Sequence, residues 1–266
     1  MARYFIYSTL KAGSSGTQVK ALQESLPNWA LDGSLLKVDG IFGNSTQMAV
    51  KTFQSELGLV VDGIVGEDTA SALGLWKALE RGFDSSHWNT IIWDGLPSDI
   101  VFANFKATDG SDYVDPAFEK SVASAKLADL DIGAYHFTKF ANSPYQEAAH
   151  FIDVVSFANP SSVYLDLEYR QSGLGSEQIT EWTCDFMRTV AGALPDSKAG
   201  IYTSKNYLRE VGVHAKCLAD YSLWAANWSE QPYVYPWSSW DTWQYAVSSD
   251  EEWAAGAIDL NLRVKS

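Results

Sequence analysis

Residues 163–168 read Val-Tyr-Leu-Asp-Leu-Glu. Drawn as an extended strand, this segment turns Leu165 and Leu167 to one face and Asp166 and Glu168 to the other. The leucines require apolar packing behind the strand. The two acids, with Cβ atoms roughly 6–7 Å apart at about 3.3 Å per residue, share the opposite face. Similar short segments recur at 82–85, 100–106, 132–137, 200–203, 222–227, 242–246 and 257–261. Helical patterns fill the earlier gaps, at 116–130, 144–157, 176–194 and 205–211. Strand alternating with helix predicts parallel strands joined by crossovers, and eight strands predict an α/β barrel. The last three segments fall within about 40 residues, too close for crossover helices of a dozen residues. The expected fold is therefore an irregular TIM-like β/α barrel with a reduced number of helices.

The polar residues sit where such a barrel carries its chemistry. In barrel enzymes the C-terminal strand ends bear the reacting groups. Here the segments end on or near Asp84, Lys106, Tyr135 and His136, Asp166 and Glu168, Tyr202, Asn227, Gln244 and Asp259. Two neighbouring carboxylates cannot ionise independently, so one should hold its proton more tightly. A carboxylic acid beside an ionised carboxylate is what glycoside cleavage uses. Alone, Asp166 and Glu168 could be an ordinary exposed acidic pair at a strand end; Asp84 and Asp259 on other strands favour the catalytic reading. Tyr135 and His136 are consecutive, so one should face inward and the other outward. His87, His150 and His214 lack metal-ligand spacing with any partner, and no metal or cofactor is expected. Residues 224–253 hold Trp224, Trp228, Trp237, Trp240, Trp243 and Trp253. Two or three of these are expected to meet a ligand, Trp224 first, with the others filling the barrel's weakly helical side.

The first 76 residues are organised differently. Val-Asp-Gly-Ile-Phe-Gly-Asn-Ser-Thr at 38–46 returns as Val-Asp-Gly-Ile-Val-Gly-Glu-Asp-Thr at 61–69, identical at six of nine positions. Asp-Gly makes a tight turn and a polar residue then opens a helix; Asn44 with Gln47 reads as a capping box. Helical faces follow at Val50, Phe53 and Leu57, and earlier at Val19, Leu22 and Leu26, with a third short helix at 70–75. This is a small three-helix bundle, near the lower size limit for independent stability. Residues 77–81 form a short linker of helical character, and 82–266 form the barrel.

Composition narrows the function. Acids outnumber bases 33 to 19, a net charge of -14, which argues against nucleic acid and against an anionic membrane surface. Aromatics at 14% with 11 Trp suit sugar rings. No apolar stretch is long enough to span a bilayer, and residues 1–13 lack the apolar core of a signal peptide. Cys184 and Cys217 make no disulfide framework; reduced thiols are favoured, with a single bridge left open.

Two resemblances follow from these motifs. Through Leu-Lys-Ala-Gly-Ser-Ser-Gly, Gln-Val-Lys-Ala-Leu-Gln, the paired Asp-Gly turns and Ala-Val-Lys-Thr-Phe-Gln, the first part resembles the peptidoglycan-binding domain of wall hydrolases. The resemblance implies wall binding; Asp39, Gly40, Asp62 and Gly63 are read as holding the bundle together. The second part resembles glycoside hydrolase family 25 lysozymes through Gly-Phe-Asp-Ser-Ser-His-Trp, the strand Ile-Gly-Ala-Tyr-His-Phe, Val-Tyr-Leu-Asp-Leu-Glu, Gly-Ile-Tyr-Thr-Ser, Trp-Gln-Tyr and Ile-Asp-Leu-Asn. That resemblance implies hydrolysis of the β-1,4 bond between N-acetylmuramic acid and N-acetylglucosamine. Glu168 would be the general acid and then base. Asp166 would stabilise charge, either orienting the substrate's own 2-acetamido group as nucleophile or standing beside a direct carboxylate attack. Asp84 and Asp259 would hold the sugar and raise the proton affinity of Glu168. Lys106, Tyr135, Tyr202, Trp224 and Gln244 would line the groove. The leading expectation is a phage endolysin made in the host cytoplasm and acting on peptidoglycan. The alternatives are a bacterial autolysin and a non-catalytic wall binder on a decayed barrel.

Overall fold

The computed structural model describes residues 6, 8–26, 36–212, 216–228 and 234–265; residues 1–5 and 7 of the N-terminal stretch and His214 lie outside them. The chain divides into two compact units, Met1–Leu79 with Lys265–Ser266, and Glu80–Val264.

In the first unit the described helices are α1 (Thr17–Ser25), α2 (Asn44–Glu56) and α3 (Glu67–Ala72). Their apolar faces enclose a core that includes Leu10, Val19, Leu22, Val50, Phe53 and Val65. Two details differ from expectation. Asn44 caps nothing: extended Gly43 is the N-cap, and no side-chain cap bond forms. The third helix starts at Glu67, three residues early, with Glu67 and Asp68 in its first turn, where the positive helix end favours acids.

The repeat has a structural cause. Gln23 on α1 and Gln54 on α2 are buried, and each clamps one Asp-Gly turn. Nε2 of Gln23 donates to Asp39 Oδ1, the Ile41 carbonyl and Thr46 Oγ1, while its Oε1 accepts from Gly40 N–H at 2.8 Å. Gln54 makes the same four bonds to Asp62, the Ile64 carbonyl, Thr69 and Gly63 N–H. Gly40 and Gly63 have φ of 75° and 74°, a left-handed conformation that favours glycine. The Gln23 amide and the Ile41 N–H hold the Asp39 carboxyl below its usual range.

The second unit is a closed barrel of eight strands: β1 (Leu79–Ser85), β2 (Ile100–Asp109), β3 (Asp131–Phe137), β4 (Ser162–Asp166), β5 (Lys198–Ser204), β6 (Ser222–Ala226), β7 (Thr242–Ser248) and β8 (Ile258–Val264). Each pairs with the next in sequence, and β1 closes the ring against β8. Helices α4 (Phe118–Leu127), α5 (Pro144–Val155), α6 (Ser176–Ala193) and α7 (Lys205–Val211) cover the β2-to-β6 side. Apolar residues of the outer strand faces and helices pack as a layer; Phe186 stacks on both His136 and Phe151, and Phe151 is tilted against His136, between strand and helices.

Three expectations are corrected. Residues 77–82 are not helical, since β1 already begins at Leu79. The strands are not all parallel: β8 runs antiparallel to β7, because the nine residues between them suffice for a hairpin-like return but not for a crossover. Asp259 therefore lies near the start of its strand rather than its end. Finally, Cys184 on α6 is bonded to Cys217, with Cα atoms 6.1 Å apart, so the open alternative of one bridge is the one formed. Among the described residues no helix is long and apolar enough to cross a membrane.

Candidate active site

The strand ends converge on one cavity of about 140 Å³, lined by Asp84, Tyr135, Asp166, Glu168, Tyr202, Trp224, Gln244 and Asp259. Eight of the nine residues singled out from sequence meet here. The ninth, Lys106, is not in this lining: its Nζ lies 3.4 Å from Asp109 Oδ2 and 4.7 Å from the Phe137 ring centre. It still acts electrostatically, lowering the proton affinity of both Asp166 and Glu168.

Local structure explains each position. Leu165 and Leu167 are fully buried, so the acids alternate to the cavity side as the pleat dictates. Glu168 lies just past β4, but its segment is pinned: Leu167 N–H donates to the Tyr202 carbonyl at 2.9 Å, and the Leu167 carbonyl accepts from Thr203 Oγ1 at 2.8 Å. Across the barrel, β7 and β8 slip register between Leu260 and Asn261. A bulge re-aims side chains, and here Gln244 and Asn261 both reach Asp84. Oδ2 of Asp84 accepts from Gln244 Nε2 at 3.0 Å and from Asn261 Nδ2 at 2.7 Å.

These bonds continue outward. Oε1 of Gln244 accepts from Tyr202 at 3.0 Å and from Trp228 Nε1 at 3.2 Å, and Oδ1 of Asn261 accepts from Trp224 Nε1 at 2.7 Å. Trp224 forms the floor, with the rings of Tyr135, Tyr164 and Tyr202 edge-on at 5.9, 5.0 and 4.7 Å. A Cβ at Gly200 would come within 2.6 Å of the Tyr164 ring, so this stack depends on a glycine in β5.

Electrostatics follow from four acids in a small, partly dry space. Burial first, then Asp259, pushes Asp84 up to about 8, against the two amide bonds that favour its charged form. Asp166 is raised well above the usual carboxylate range by burial and then by Glu168. Its Oδ1 has no hydrogen-bond partner among the described residues. Burial and then Asp259 raise Glu168, and burial raises Asp259. Each member of the set is thereby shifted toward its protonated form, the form that can donate a proton.

Residues 83–252 match the family described as Glycosyl hydrolases family 25. The chain belongs to that family. Residues 15–73 match a peptidoglycan binding domain. Lysozyme M1 of Streptomyces globisporus is 29% identical over 197 residues, covering 68% of this chain and 66% of its own length. The autolytic lysozyme of Clostridium acetobutylicum is 27% identical over 182 residues, 68% of this chain and 52% of its own. This chain thus spans about two thirds and about half of those relatives. Among solved structures, the bacterial lysozyme of Streptomyces coelicolor superposes with a TM-score of 0.63 at 26% identity, covering 70% of this chain and 92% of that one.

Within this family-25 barrel, two groups of residues fall outside the sequence reading. Asn261, the last residue of the Ile-Asp-Leu-Asn motif, contacts Asp84, a role that the motif alone does not assign. The tryptophans also separate differently. Trp224 is 1% exposed and Trp237, Trp240, Trp243 and Trp253 are all buried, whereas Trp228 is 63% exposed. Trp224 is a floor rather than an open stacking face, because its ring is enclosed by three tyrosines. As expected from alternation, Tyr135 faces the cavity while His136 points outward. His136 is bonded to Thr108 at 2.7 Å and Glu147 at 2.9 Å, and burial lowers its proton affinity.

Proposed function

We propose that this chain is an N-acetylmuramidase that hydrolyses the β-1,4 bond between N-acetylmuramic acid and N-acetylglucosamine of peptidoglycan, with its first unit binding the wall. The observation that carries this is the meeting of Asp84, Asp166, Glu168 and Asp259, from three separate strand segments, in one cavity. The lysozyme relatives and the peptidoglycan binding domain support the substrate.

In this reading Glu168 gives its proton to the glycosidic oxygen as the bond from that oxygen to C1 breaks. The 2-acetamido oxygen of the same sugar attacks C1 from the other face. Water then attacks C1, the bond from C1 to the acetamido oxygen breaks to restore the acetamide, and the water's proton passes to Glu168. Asp166 accepts the acetamido N–H and stabilises the positive charge that develops on the ring. The donor-poor Oδ1 of Asp166 supports this, since an amide N–H supplies the missing donor and favours the ionised carboxylate. Asp259 raises the proton affinity of Glu168, and Asp84 and Asp259 hold the sugar with Tyr135 and Tyr202. Lys106 limits that rise.

Mass spectrometry of fragments released from purified peptidoglycan tests the reading. New reducing ends on N-acetylmuramic acid support it; reducing ends on N-acetylglucosamine, or no fragments, overturn it. We further propose an endolysin role as the biological setting. Secretion by intact cells without a pore-forming partner would assign the chain to an autolysin instead.

A further inference from the structure

Strand β2 breaks its alternation between Lys106 and Thr108. Lys106 stands opposite Tyr135 on β3 and Thr108 stands opposite His136, so Ala107 has no partner across the ladder. A regular strand would turn Lys106 and Thr108, two residues apart, to one face. The extra residue sends them to opposite faces. Lys106 shares the mouth side with Tyr135, and Thr108 joins His136 in the apolar layer under the helices. Asp109, opposite Phe137, returns to the mouth side, where its Oδ2 lies 3.4 Å from Lys106 Nζ and 3.0 Å from Lys139 Nζ.

A buried chain of polar groups grips this bulge from behind. Thr108, His136 and Glu147 are all fully buried, and none of them lines the acid cavity. Glu147 on α5 accepts the His136 Nε2–H at 2.9 Å and, through its other oxygen, the Asn142 N–H at 3.3 Å. With the ring hydrogen on Nε2, Nδ1 is the acceptor, and the Thr108 hydroxyl donates to it at 2.7 Å. Burial keeps the His136 ring neutral against the pull of Glu147 and Asp109. The carbonyl of Ala107 itself accepts from the Asp115 N–H at 2.8 Å. A ring nitrogen enclosed by Phe151 and Phe186 would be left unpaired by loss of the hydroxyl.

We propose that Thr108 and His136 are positioning residues for the hydrolysis: their bond holds the bulge at Ala107, and the bulge keeps the Lys106 ammonium on the side of the barrel where Asp166 and Glu168 lie. The proposal rests on the muramidase reading above. Neither residue touches substrate; the effect reaches the general acid through charge. Glu168 faces Asp84, Asp166, Tyr202 and Asp259 across the acid cavity, and Lys205 in the adjoining hollow. Burial and then Asp259 raise its proton affinity, and Lys106 lowers it. Lys106 in turn is faced by Asp109, which Lys139 also holds. Releasing the bulge frees Lys106 to turn away, and Glu168 then keeps its proton to higher pH.

The test is the pH–rate profile for clearing of purified walls by the full chain as wild type, Thr108→Val, Thr108→Ser, Lys106→Met and the Thr108→Val, Lys106→Met double variant. Thr108→Val keeps the shape of the side chain and removes the hydroxyl. Its alkaline limb should move to higher pH by about half a unit, a fraction of the roughly 1–3 units that a close opposite charge is worth. Thr108→Ser restores the donor and should keep the wild-type limb. In the Lys106→Met background Thr108→Val should move the limb no further, since no ammonium remains to be aimed. Lost packing alone lowers the rate and leaves the limb in place, and that result for Thr108→Val overturns the proposal. So does a shift to lower pH, an equal shift in Thr108→Ser, a further shift added to that of Lys106→Met, or no shift in Lys106→Met. Should Thr108→Val not fold, Thr108→Ala is read by the same criteria; failure of both to fold makes the hydroxyl structural alone and overturns the positioning role. Wild type that releases no fragments, or fragments with reducing ends on N-acetylglucosamine, overturns the muramidase reading and takes this role with it.

Discussion

Asp84 and Asn261 are 177 residues apart in sequence and 2.7 Å apart in space. The bond fastens the first strand of the barrel to the last, at the point where the ring closes. The same carboxylate takes a second amide from Gln244, so closure of the barrel and shaping of the acid cavity are one event.

That carboxylate sets a pH dependence of stability. Asp84 is raised from an ordinary 3.8 to about 8 in the folded chain. A group whose folded value lies above its unfolded value stabilises at low pH, and the contribution fades as pH climbs through the window between the two. Asp84→Asn removes the titration and leaves an oxygen to accept both amides. Its melting temperature relative to wild type should rise progressively from pH 4 to pH 8, by several degrees at the upper end given about 2–4 °C per kcal/mol for a unit of this size. A constant offset across that range would contradict the assignment.

Glu168→Gln should reduce clearing of purified walls by about 10²–10⁴-fold, the usual worth of a positioned acid, while sedimentation with walls stays at the wild-type level. Equal clearing by both proteins would remove Glu168 from the chemistry.

Lys106 lowers the proton affinity of Glu168 and Asp166. Lys106→Met should therefore raise both. Activity that needs protonated Glu168 declines as pH rises past its proton affinity, so the alkaline limb of the pH–rate profile should move to higher pH. A limb that stays in place, or moves down, would mean that Lys106 is not coupled to the acid.

How much of this was legible in the chain varies with the physics. Strand positions were readable because alternation exposes them: Leu165 and Leu167 had to face the apolar layer behind the strand, which left Asp166 and Glu168 on the cavity side. Crowding of the last three strands also foretold missing helices. The reversal of β8 was legible only in the short connection before it, since an apolar alternating segment looks the same in either direction. The enclosure of Trp224 was not readable, because a tryptophan near a site carries no mark of whether its face or only its N–H is used. Asn261 was missed because its role arises from a bulge, and a register slip leaves no trace in residue type.

In the first unit, Gln23→Ala should strip partners from Gly40 N–H, the Ile41 carbonyl and Thr46. At about 1–3 kcal/mol for a buried group left unpaired, the loss is a large share of what a domain of this size has. Calorimetry should show an early transition for this variant and an unchanged one for the barrel. Gln54→Ala should behave alike, and a silent variant would show that the clamps are dispensable.

Charge makes a separate demand. The first 76 residues carry seven acids and five bases, a balance of -2, which leaves -12 for the rest. Anionic wall polymers should repel the barrel over about a Debye length, so attraction must come from specific contacts of the first unit. Removing residues 1–76 should weaken sedimentation with walls, whereas raising salt moderately should not. Steep release by salt would contradict this.

The reversed course of β8 settles which stretches of chain can reshape the catalytic rim. For the other seven strands, the residues that follow the strand lie at the end of the barrel that carries the acids. For β8 it is the preceding stretch, 249–257, that does so, while Val264 emerges at the base of the barrel. Lengthening 249–257 would alter which glycans are admitted; a partner fused beyond Val264 would start its path on the side away from the acids.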